Sequence, residues 1–454
     1  MKNQMAIILA AGEGTRMRSA TPKVLHKVCG RSLVEWALSA VSGWDEQPVA
    51  VLGFARDRVA AHLNGRARIC VQEQQLGTGH AVLCAGEYLE GFSGTVLVMA
   101  GDMPLIRRET VEKLASLRTG DTSCVLLSAM AEDPTGYGRI LRDEKGNVTG
   151  IVEQRDATEE QRLIREINAS VYAFDGEKLW KKLHLLTNDN AQNQYYLTDV
   201  IHMLIQDGDK VEAVCLPDLE ESAGINNRLQ LAQAEKVMRR RINEELMLSG
   251  VTLIDPDATY IEAGVTVGQD AVIYPGNVLM GSTVIGADTV LYPNNRMVNA
   301  AVGENCTVES SLLEDCTVGS GVTVGPNAHL RPKAVLADTV RVGNFVEIKN
   351  ANVGEGTKVS HLTYVGDADV GSGVNLGCGV VFCNYDGKRK HRTVVEDGAF
   401  IGCNTNLVAP VKVGADAYTA AGTTVTQDVE PGALTVGRSR QTNIPNWVSK
   451  HKER

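Results

Sequence analysis

The chain has 454 residues, more than a single hydrophobic core usually serves, so two domains are expected. Its hydrophobic fraction of 43% and charged fraction of 22% are those of an ordinary soluble protein. The net charge of -10 argues against a broad electrostatic surface for nucleic acid, although a phosphorylated small molecule needs only a few local cations.

Cysteine spacing and the N-terminus exclude several further classes. The ten cysteines include no CxxC pair, so neither a zinc site nor a thioredoxin-like motif is predicted. A disulfide framework is not expected in a long chain without an export signal. The first apolar run extends only from Met5 to Ala11, which is too short for a signal-peptide core or a membrane span. We expect a cytoplasmic protein with reduced thiols.

From Met5 to about Asn227, short apolar runs alternate with amphipathic stretches. The runs AIILAA, PVAVLGF, GTVLVMAGD and CVLLSAM have the Val, Ile and Leu content of buried parallel strands. Leu33–Ser42 and Arg108–Leu117 are predicted helices between them. This alternation predicts a doubly wound, Rossmann-like α/β domain, in which ligands bind beyond the carboxyl ends of the strands.

Small residues follow the first predicted strand in the segment LAAGEGTRM, which starts at Leu9. Small residues let the backbone approach a ligand, and the N–H groups of such a turn can hold phosphate. Met17 stands where a dinucleotide fingerprint has its third glycine, and no Walker-type GKS or GKT follows. Alone, the segment is equally compatible with a plain strand-to-helix turn, but Lys23 in TPKVL adds a cation beside it.

The stretch from Arg228 to Leu248 is dense in strong helix formers and contains no Gly or Pro. A Ser-Gly pair then ends it, so we expect one long connecting helix. The predicted organisation is a first domain at 1–228, a linker helix at 229–249 and a second domain at 250–454.

Beyond the linker, apolar residues recur at every sixth position in three runs, and Gly often follows them. A six-residue period with small residues at the turns is typical of a parallel β-helix, in which stacking of short strands buries the apolar columns. The period therefore predicts a hexapeptide-repeat domain. The runs are Ile261, Val267, Ile273, Leu279, Ile285 and Leu291; Val318, Val324, Leu330, Leu336, Val342 and Ile348; and Ile401, Leu407, Val413 and Val425, with Thr419 in register before Val425.

Ordered motifs along nearly the whole chain resemble one family. LAAGxGTRM followed by PKxL is the signature of sugar-phosphate nucleotidyltransferases, and the later motifs narrow this group. The chain resembles the bacterial bifunctional N-acetylglucosamine-1-phosphate uridylyltransferase/glucosamine-1-phosphate acetyltransferases. The later motifs are QEQQLGTGH at Gln72, GDMP at Gly101, DPTGYGRI at Asp133, IVE at Ile151, EIN at Glu166, GINNR at Gly224, RP at Arg331, VGNFVEIK at Val342 and HLTY at His361.

The resemblance implies two consecutive reactions. The second domain would acetylate glucosamine 1-phosphate with acetyl-CoA, and the first would then transfer UMP from UTP to N-acetylglucosamine 1-phosphate and release pyrophosphate. The product, UDP-N-acetylglucosamine, is a precursor of peptidoglycan and, in many bacteria, of lipopolysaccharide. The resemblance also implies a left-handed β-helix, a homotrimer with active sites between neighbouring subunits, and Mg²⁺ as cofactor.

The residue types of the first domain suit uridylyl transfer. The reaction brings several anionic oxygens together, and Arg16 and Lys23 are the natural cations to neutralise them. Asp102 follows an apolar strand and is expected at the loop end of the sheet. With Asn226 it offers oxygen ligands for Mg²⁺, which takes few protein ligands. Without the surrounding motifs, Asp102 is equally compatible with a helix cap or turn residue.

His361 is the candidate base for acetyl transfer, because the ordinary pKa of histidine suits proton uptake near neutral pH. Any one of the nine histidines is more often a surface or core residue, so its context matters. The hexads slip out of register near Ile348–Val359, and Arg331 and Lys349 lie one and two coils away, where they can bind a sugar phosphate. The resemblance also makes His361 the proton acceptor.

The resemblance assigns the remaining contacts residue by residue. Nucleotide and sugar binding falls to Leu9, Ala10, Ala11, Gly12, Arg16, Lys23, Gln72, Gly77, Thr78, Ala100, Gly101, Asp102, Gly138, Glu153, Asn168 and Asn226. The amino sugar phosphate falls to Arg331, Lys349, Tyr364, Asn375, Asn384 and Tyr385, and acetyl-CoA to Cys378, Cys403, Ala421 and Arg438. The family often has Tyr, Ala and Ser in place of Ala100, Cys378 and Cys403. We therefore expect a backbone contact rather than a ring contact at Ala100, and we expect the cysteine contacts to use backbone or small side-chain atoms.

Other hypotheses stay open from the sequence. The first domain alone is active in one of them, and the β-helix serves as a trimerisation or regulatory module. In another, the chain is a non-enzymatic sugar-nucleotide sensor. A nucleophilic cysteine is an alternative to direct attack by the amine. The basic segment Lys388–Arg392 is either a solvated excursion or a loop that reaches over a neighbouring subunit's site.

Overall fold

A computed structural model describes residues 3–452. The chain divides between Met238 and Arg239 into two compact units, each with its own hydrophobic core. Within the described residues, no helix is both long enough and apolar enough to cross a membrane.

The first unit is built on a nine-stranded sheet in the order β11-β7-β10-β6-β1-β4-β5, with β8 and β9 paired at its side. The strands β1, β4, β5 and β6 are mutually parallel, and β11 is parallel to β7. Strands β2 and β3 form a separate ribbon. The strands are β1 Gln4–Ala10, β2 Lys27–Val28, β3 Arg31–Ser32, β4 Val49–Leu52, β5 Arg68–Val71, β6 Thr95–Ala100, β7 Thr122–Met130, β8 Arg139–Arg142, β9 Val148–Val152, β10 Glu166–Asp175 and β11 Lys210–Leu216.

Helices cover both faces of this sheet, so strand residues are buried on both sides. On β1, Ile8 belongs to the core on one face and Ile7 to the core on the other. This explains why the strands have continuous apolar runs rather than alternation. The helices of the chain are α1 Leu33–Val41, α2 Arg56–Leu63, α3 Thr78–Leu83, α4 Gly86–Leu89, α5 Arg108–Leu117, α6 Glu159–Arg162, α7 Gly176–Leu183, α8 Thr198–Gln206, α9 Arg228–Leu248 and α10 Trp447–His451, with 3₁₀ turns at Thr15–Met17, Lys23–Leu25 and Leu219–Ser222.

The predicted α/β class is confirmed, with one difference in the sheet. The four predicted strands correspond to β1, β4, β6 and β7, but β10 lies between β6 and β7 and is antiparallel to both. The β8–β9 hairpin precedes β10, and β10 also pairs antiparallel with β8. Antiparallel strands need no crossover helix, so the segment from β8 to β10 departs from the alternation of strands and helices that the sequence predicts.

The long helix α9 occupies the predicted range Arg228–Leu248. On the second-unit side of the division, Ile242, Leu246 and Met247 pack against the core of that unit. The side-chain amide of Asn243 donates to the carbonyl oxygens of Pro256 and Thr259, at 2.8 and 3.1 Å. The C-terminal half of the helix therefore covers the first coil of the repeat unit.

The second unit consists of short parallel strands that stack coil on coil in three columns. The first column contains Thr252–Leu253, Val272–Ile273, Val290–Leu291, Thr307–Val308, Thr323–Val324, Arg341–Asn344, Lys358–His361, Asn375–Leu376, Phe400–Ile401, Tyr418–Thr419 and Leu434–Thr435. The second contains Tyr260–Ile261, Val278–Met280, Arg296–Val298, Leu312–Glu314, His329–Leu330, Glu347–Val353, Tyr364–Val370, Val381–Cys383, Asn406–Val408 and Thr424–Val425. The third contains Thr266–Val267, Val284–Ile285, Ala301–Val302, Thr317–Val318, Val335–Leu336, Thr393–Val395 and Val411–Val413, together with the ends of Glu347–Val353 and Tyr364–Val370.

The hexad residues form the core of these coils. All of the predicted apolar positions are buried except Val267, which packs at the edge of the core. In-register partners such as Val272 and Val290 are 18 residues apart, which is three hexads. The stacked, curled sheets fit the parallel β-helix that the period predicts, and they are consistent with the left hand that the resemblance implies.

The slip of the hexads reflects a shorter coil. Arg341 pairs with Lys358, which is 17 residues on, and the strand Glu347–Val353 runs through a corner without a break. Further along, Asn375 pairs with Phe400, because a loop is inserted between the second and third columns of that coil. Both irregularities lie close to His361 in the stack.

Candidate active sites

The predicted phosphate loop begins where β1 ends, at Ala10. Gly14 has a φ of 69°, which favours glycine. A Cβ atom on Gly14 would lie 2.5 Å from Cβ of Lys23. The missing side chain therefore lets the Lys23 turn pack directly against the loop. The same φ and close approach explain why a Gly is needed in the LAAGEGTRM segment.

A cleft of about 390 Å³ opens at the carboxyl ends of β1 and β6. Its position fits the rule for ligand sites in open α/β sheets. Nine of the residues that the resemblance assigns to the nucleotide and sugar line it: Leu9, Ala11, Gly12, Gln72, Gly77, Thr78, Ala100, Glu153 and Asn168. Ala10, Arg16, Lys23, Gly101, Asp102, Gly138 and Asn226 lie outside this lining.

One wall of the cleft is held by backbone-directed hydrogen bonds. The side-chain amide of Gln72 donates to the carbonyl oxygen of Gly77 at 3.0 Å, and Gly77 has a φ of 114°. The hydroxyl of Thr78 accepts from the N–H of Leu197 at 3.1 Å. These contacts join the loop before α3 to the loop before α8, and together they fix the shape of the cleft.

Gly138, Glu153 and Asn168 meet at the other end of the cleft. A Cβ on Gly138 would lie 3.6 Å from Oε1 of Glu153 and 3.5 Å from Cβ of Asn168, so the glycine leaves the space between them open. The hydroxyl of Thr198 donates to Oε1 of Glu153 at 3.1 Å. Burial raises the pKa of Glu153, and the Thr198 hydrogen bond only partly offsets this effect. A partly buried carboxylate with free acceptor capacity can receive hydrogen bonds from sugar hydroxyls.

The two predicted cations and the two predicted metal ligands of the first unit form one hydrogen-bonded cluster: Arg16, Lys23, Asp102 and Asn226. The ammonium of Lys23 donates to Oδ2 of Asp102 and, at 3.2 Å, to Oδ1 of Asn226. Arg16 donates to the same Asn226 oxygen at 2.9 Å. The two cations thus face the oxygens expected to bind metal, and they lie beside the phosphate loop.

The donor set of this cluster fits Mg²⁺. The oxygens of Asp102 and Asn226 converge on one cationic position, which the Lys23 ammonium fills. No group of three or more His, Cys, Asp or Glu side chains suited to a metal occurs among residues 3–452. Mg²⁺ commonly uses only one or two protein ligands, with water and substrate phosphates completing its shell, so two oxygens are enough.

Several lining residues were not predicted from the sequence. The hydroxyl of Tyr172 accepts from the side-chain amide of Asn168 at 2.6 Å, and both lie at the sugar end of the cleft. Ser170 between them has a φ of 57°, and β10 shifts its pairing register there. Neither alternation nor a motif signals such a bulge. The other unpredicted lining residues are Gln75, Ala81, Val98, Ser170, Gln194, Leu197 and Thr198.

In the β-helix, four residues occupy equivalent positions at one corner of successive coils: His361, Cys378, Cys403 and Ala421. The N–H groups of Gly379, Asn404 and Gly422 donate to the carbonyl oxygens of His361, Cys378 and Cys403, at 3.4, 2.8 and 2.8 Å. Adjacent strands are about 4.8 Å apart, so this corner row spans about 14 Å. Arg438 adjoins its far end, with Cδ 3.9 Å from the place a Cβ on Gly422 would take.

His361 itself is exposed at the corner between the first and second columns. Its carbonyl oxygen accepts from the Thr363 hydroxyl at 2.7 Å, which fixes the backbone of the corner. Its ring has no hydrogen-bond partner within the described part of the chain. Both ring nitrogens are therefore open to a substrate.

Two predicted cations stack in adjacent coils of the second column. Leu330 pairs with Ile348, so Arg331 and Lys349 are side by side, and the strand of Tyr364 follows next. Arg331 donates to Oε1 of Glu347 at 2.6 Å. The ammonium of Lys390 beside Lys349 lowers the pKa of Lys349. Like charges held together in this way favour an anion between them.

Tyr364 and Asn384 meet over a glycine. The amide of Asn384 donates to Oδ2 of Asp367 at 2.5 Å and to the Tyr364 hydroxyl at 3.3 Å. A Cβ on Gly366 would overlap the Tyr364 hydroxyl. Asp367 is buried and also accepts from the amide of Asn350 at 2.5 Å. The hydrogen bonds hold the two predicted sugar contacts in one fixed group.

Two other predicted sugar contacts are more separate. Asn375 lies in the first column, in register with Lys358 and Phe400, three residues before Cys378. Tyr385 is exposed, and its hydroxyl donates to the carbonyl oxygen of Gly387 within its own loop. No contact joins either side chain to Tyr364 in the described residues.

The basic segment folds back on its own β-helix. Asp386 accepts from the N–H groups of Lys388 and Arg389, each at 2.7 Å. Arg392 forms an ion pair with Asp369, and its guanidinium also donates to the carbonyl oxygen of Ala368 at 2.8 Å. The segment is therefore an ordered loop rather than a purely solvated excursion.

Comparisons with known proteins agree with this geometry. Residues 6–168 match the family model of the MobA-like NTP transferase domain. A protein named "Bifunctional protein GlmU" from Geobacillus thermodenitrificans is 49% identical over 452 residues, which cover 99% of this chain and 98% of the relative. The protein of the same name from Pelobacter propionicus is 47% identical over 459 residues, covering 100% of both chains. The chain belongs to the GlmU family.

Membership in the GlmU family confirms the resemblance seen in the motifs. The chain is a bifunctional enzyme that combines a uridylyltransferase with an acetyltransferase, and its substrates include nucleotides. The matched NTP transferase region contains the phosphate loop, Asp102, Glu153 and Asn168. Because the GlmU relatives match along both units, the hypothesis of a single active unit with a passive β-helix is disfavoured.

Proposed function

We propose that the β-helix unit transfers the acetyl group of acetyl-CoA to glucosamine 1-phosphate, and that the α/β unit then makes UDP-N-acetylglucosamine from UTP and the acetylated product. The observation that carries this proposal is the corner row of His361, Cys378, Cys403 and Ala421, close in the stack to the cations Arg331 and Lys349. A passive scaffold does not require an unpartnered histidine close in the stack to two cations in adjacent coils.

In acetyl transfer, the amine nitrogen attacks the thioester carbon, a C–N bond forms, and the C–S bond breaks to release the CoA thiol. The nitrogen must lose a proton, and the open ring of His361 accepts it. Arg331 and Lys349 hold the phosphate, while Tyr364 and Asn384 orient the sugar. The thioester lies along the corner row, with Arg438 at the far end for a CoA phosphate.

Direct attack by the amine needs no covalent enzyme intermediate. Cys378 and Cys403 are one and two coils from His361, at positions where a thioester carbonyl or an amide of the CoA arm can contact the backbone. We assign these cysteines to acetyl-CoA binding and not to nucleophilic catalysis. Ala421 continues the same surface.

In uridylyl transfer, a phosphate oxygen of N-acetylglucosamine 1-phosphate attacks the α-phosphorus of UTP, and pyrophosphate leaves. Leu9 to Gly12, Gln72, Gly77 and Thr78 bind the nucleotide, and Ala100 and Gly101 support it at the end of β6. Arg16 and Lys23 neutralise the charge of the phosphates. Asp102 and Asn226 would hold Mg²⁺, which supplies further neutralisation and helps to align attacker and leaving group.

Sugar recognition in this step is assigned to Gly138, Glu153 and Asn168. Glu153 accepts hydrogen bonds from sugar hydroxyls, and Asn168 contacts the acetamido group. The domain assignment follows the chemistry, with uridylyl transfer in residues 1–228, a linker helix at 229–249 and acetyl transfer in 250–454. We further propose a cytoplasmic homotrimer in which a neighbouring subunit completes each acetyltransferase site, which sedimentation analysis would test.

The decisive experiment incubates the protein with UTP, acetyl-CoA, glucosamine 1-phosphate and Mg²⁺ and identifies every product. We expect free CoA thiol, pyrophosphate and UDP-N-acetylglucosamine. His361→Ala should lower thiol release by about 10²- to 10⁴-fold and leave uridylyl transfer to supplied N-acetylglucosamine 1-phosphate unchanged. His329→Ala, which replaces a partly buried histidine of the same β-helix that contacts Glu314, is the matched control.

Each contrary result points to a different hypothesis. A chain that releases pyrophosphate but no glucosamine-1-phosphate-dependent thiol is a uridylyltransferase with a passive β-helix. A chain that releases neither is a sugar-nucleotide sensor. Full acetyl transfer by His361→Ala would contradict the assignment of the base.

A further inference from the structure

Arg139 is the largest fully buried side chain among the described residues. Its guanidinium donates to the carbonyl oxygen of Tyr137, to Oε1 of Gln154 at 2.7 Å and to the carbonyl oxygen of Arg162 at 3.4 Å. Its Nε has no partner, and no carboxylate in residues 3–452 forms an ion pair with it. A buried cation held only by neutral acceptors costs stability, so packing alone does not explain this residue.

The strand pairing places Arg139 directly behind the proposed sugar contacts. Arg139 is in register with the last residue of β9 and with the second residue of β10. Because both pairings are antiparallel, the preceding Gly138 lies in line with Glu153 and Asn168. The N–H of Asn168 donates to the carbonyl oxygen of Gly138 at 2.9 Å. Three strands thus present one sugar contact each at the same level.

The Arg139 side chain ties together the segments on either side of this level. It binds the carbonyl of Tyr137, which precedes Gly138, and the side chain of Gln154, which follows Glu153. The same Gln154 oxygen accepts from the N–H of Gly136 at 3.0 Å. Arg139 is not among the residues that line the cleft. Any influence on the sugar must therefore pass through these backbone and amide contacts.

We propose that Arg139 is a positioning residue that gives uridylyl transfer its preference for an N-acetylated sugar phosphate, by fixing the distance between the Gly138 and Glu153 segments. This inference rests on the proposed uridylyltransferase site. Discrimination between a sugar with an acetyl group and one with a free amine depends on how closely the pocket encloses the acetyl group. If the hydrogen bonds of Arg139 are weakened, the Gly138 and Glu153 segments can move by a fraction of an ångström. This movement reduces the discrimination without removing a substrate contact.

The test measures kcat/KM for N-acetylglucosamine 1-phosphate and for glucosamine 1-phosphate, with UTP and Mg²⁺. Arg139→Lys keeps a cation but loses the planar fork, so the ratio of the two values should fall about tenfold. The KM for UTP should stay within about twofold. Acetyl transfer by the same preparation reports whether the other unit is intact. Arg142→Lys, on the same strand but paired with Glu166, is the matched control and should keep the wild-type ratio.

A second pair of variants separates positioning from a general loss of folding. Gln154→Leu removes the acceptor shared by Arg139 and Gly136 and should lower the ratio as Arg139→Lys does. Gln154→Glu keeps the shared oxygen and should restore most of the preference. If Arg139→Lys does not fold, the Gln154 pair decides the matter.

An unchanged ratio in folded Arg139→Lys or Gln154→Leu protein would overturn the inference. Equal losses for both sugars, together with a weaker UTP interaction, would also overturn it, because they indicate a structural role only. If the wild-type protein releases no pyrophosphate with either sugar, the proposed function fails, and this inference fails with it.

Discussion

At the scale of single residues, burial sets the chemistry of the sugar end of the cleft. Glu153 is partly buried in the cleft lining that it shares with Thr198, Tyr172 and Asn168, and its carboxyl has a raised pKa. Asp156 and Asp199 add a smaller repulsion of the same sign. Among the described residues, no cation offsets this increase in the pKa of Glu153, so ionisation of its carboxyl destabilises the native protein.

Replacing Glu153 by Gln should therefore stabilise the first unit at neutral pH. The native pKa lies above the ordinary value of 4.5, so the wild type loses stability as pH rises from about 4.5 through the raised pKa. Glu153→Gln lacks this loss and should be more stable than the wild type at pH 7 to 8, with the gap closing toward pH 4.5. Urea unfolding at a series of pH values measures this. A stability difference that does not change with pH would contradict the raised pKa of Glu153. The variant should also bind the sugar phosphate more weakly.

Cys378 and Cys403 offer a second residue-level test. Cys403 is exposed and Cys378 partly so, and both lie in the corner row. Alkylation with N-ethylmaleimide should abolish acetyl transfer, because the bulky adduct occupies the acetyl-CoA surface, and uridylyl transfer should persist. Saturating acetyl-CoA should slow the modification, which peptide mass spectrometry can follow. The Cys378→Ala/Cys403→Ser double variant should stay active and resist inactivation; activity in fully alkylated wild-type protein would refute the placement.

At the scale of elements, the two units position their chemistry in different ways. In the α/β unit, polar residues come from loops after separate strands, and hydrogen bonds such as that from Leu197 to Thr78 join those loops. In the β-helix, equivalent positions repeat from coil to coil, so a row of side chains follows from stacking alone. Shorter coils occur both near Ile348 and earlier, where Thr307 pairs with Thr323, and they keep the strands in register. The inserted loop before Thr393 interrupts this regularity.

Stacking of the β-helix should therefore control its stability separately from the first unit. Ile348 is fully buried between Leu330 and Val365 in adjacent coils. Ile348→Ala should destabilise the second unit by about 2 to 5 kcal/mol, and Ile348→Val by about 0.5 to 1.5 kcal/mol. Val335→Ala, at an exposed position of the same stack, is the control and should have little effect. Calorimetry should show the shift in one transition only, and a shift of all transitions would indicate coupled units.

At the scale of the whole molecule, the chain joins two separate cores through one long helix. The cores of the first unit are formed by residues of its sheet and of the surrounding helices. In contrast, Ile242, Leu246 and Met247 pack against the core of the second unit. The structural division at Met238 therefore falls inside the predicted linker at 229–249. Each unit contains all the residues that we assign to its own reaction from this chain.

Separation of the chain at this division should separate the activities. Residues 1–238 should transfer UMP to N-acetylglucosamine 1-phosphate and release no CoA thiol. Residues 239–454 should acetylate glucosamine 1-phosphate and release no pyrophosphate. Pyrophosphate and thiol assays on the two purified fragments, with the full chain as reference, check this. Loss of uridylyl transfer in a folded 1–238 fragment would show that its site needs the second unit.

The sequence by itself determined the two fold classes, the long helix and the motifs of both sites. Periodicity depends only on which residues face a core, so it survives without coordinates, as Ile261 to Val425 illustrate. Only the tertiary structure decided what depends on contacts between distant segments: the antiparallel β10, the bulge that brings Tyr172 to Asn168, and the ring of contacts around Arg139. These arise from pairing between strands far apart in the chain, and no local spacing encodes them. The corner row lies between these cases, because its stacking follows from the repeat, but its register depends on a coil of 17 residues that the hexad pattern shows only as a slip.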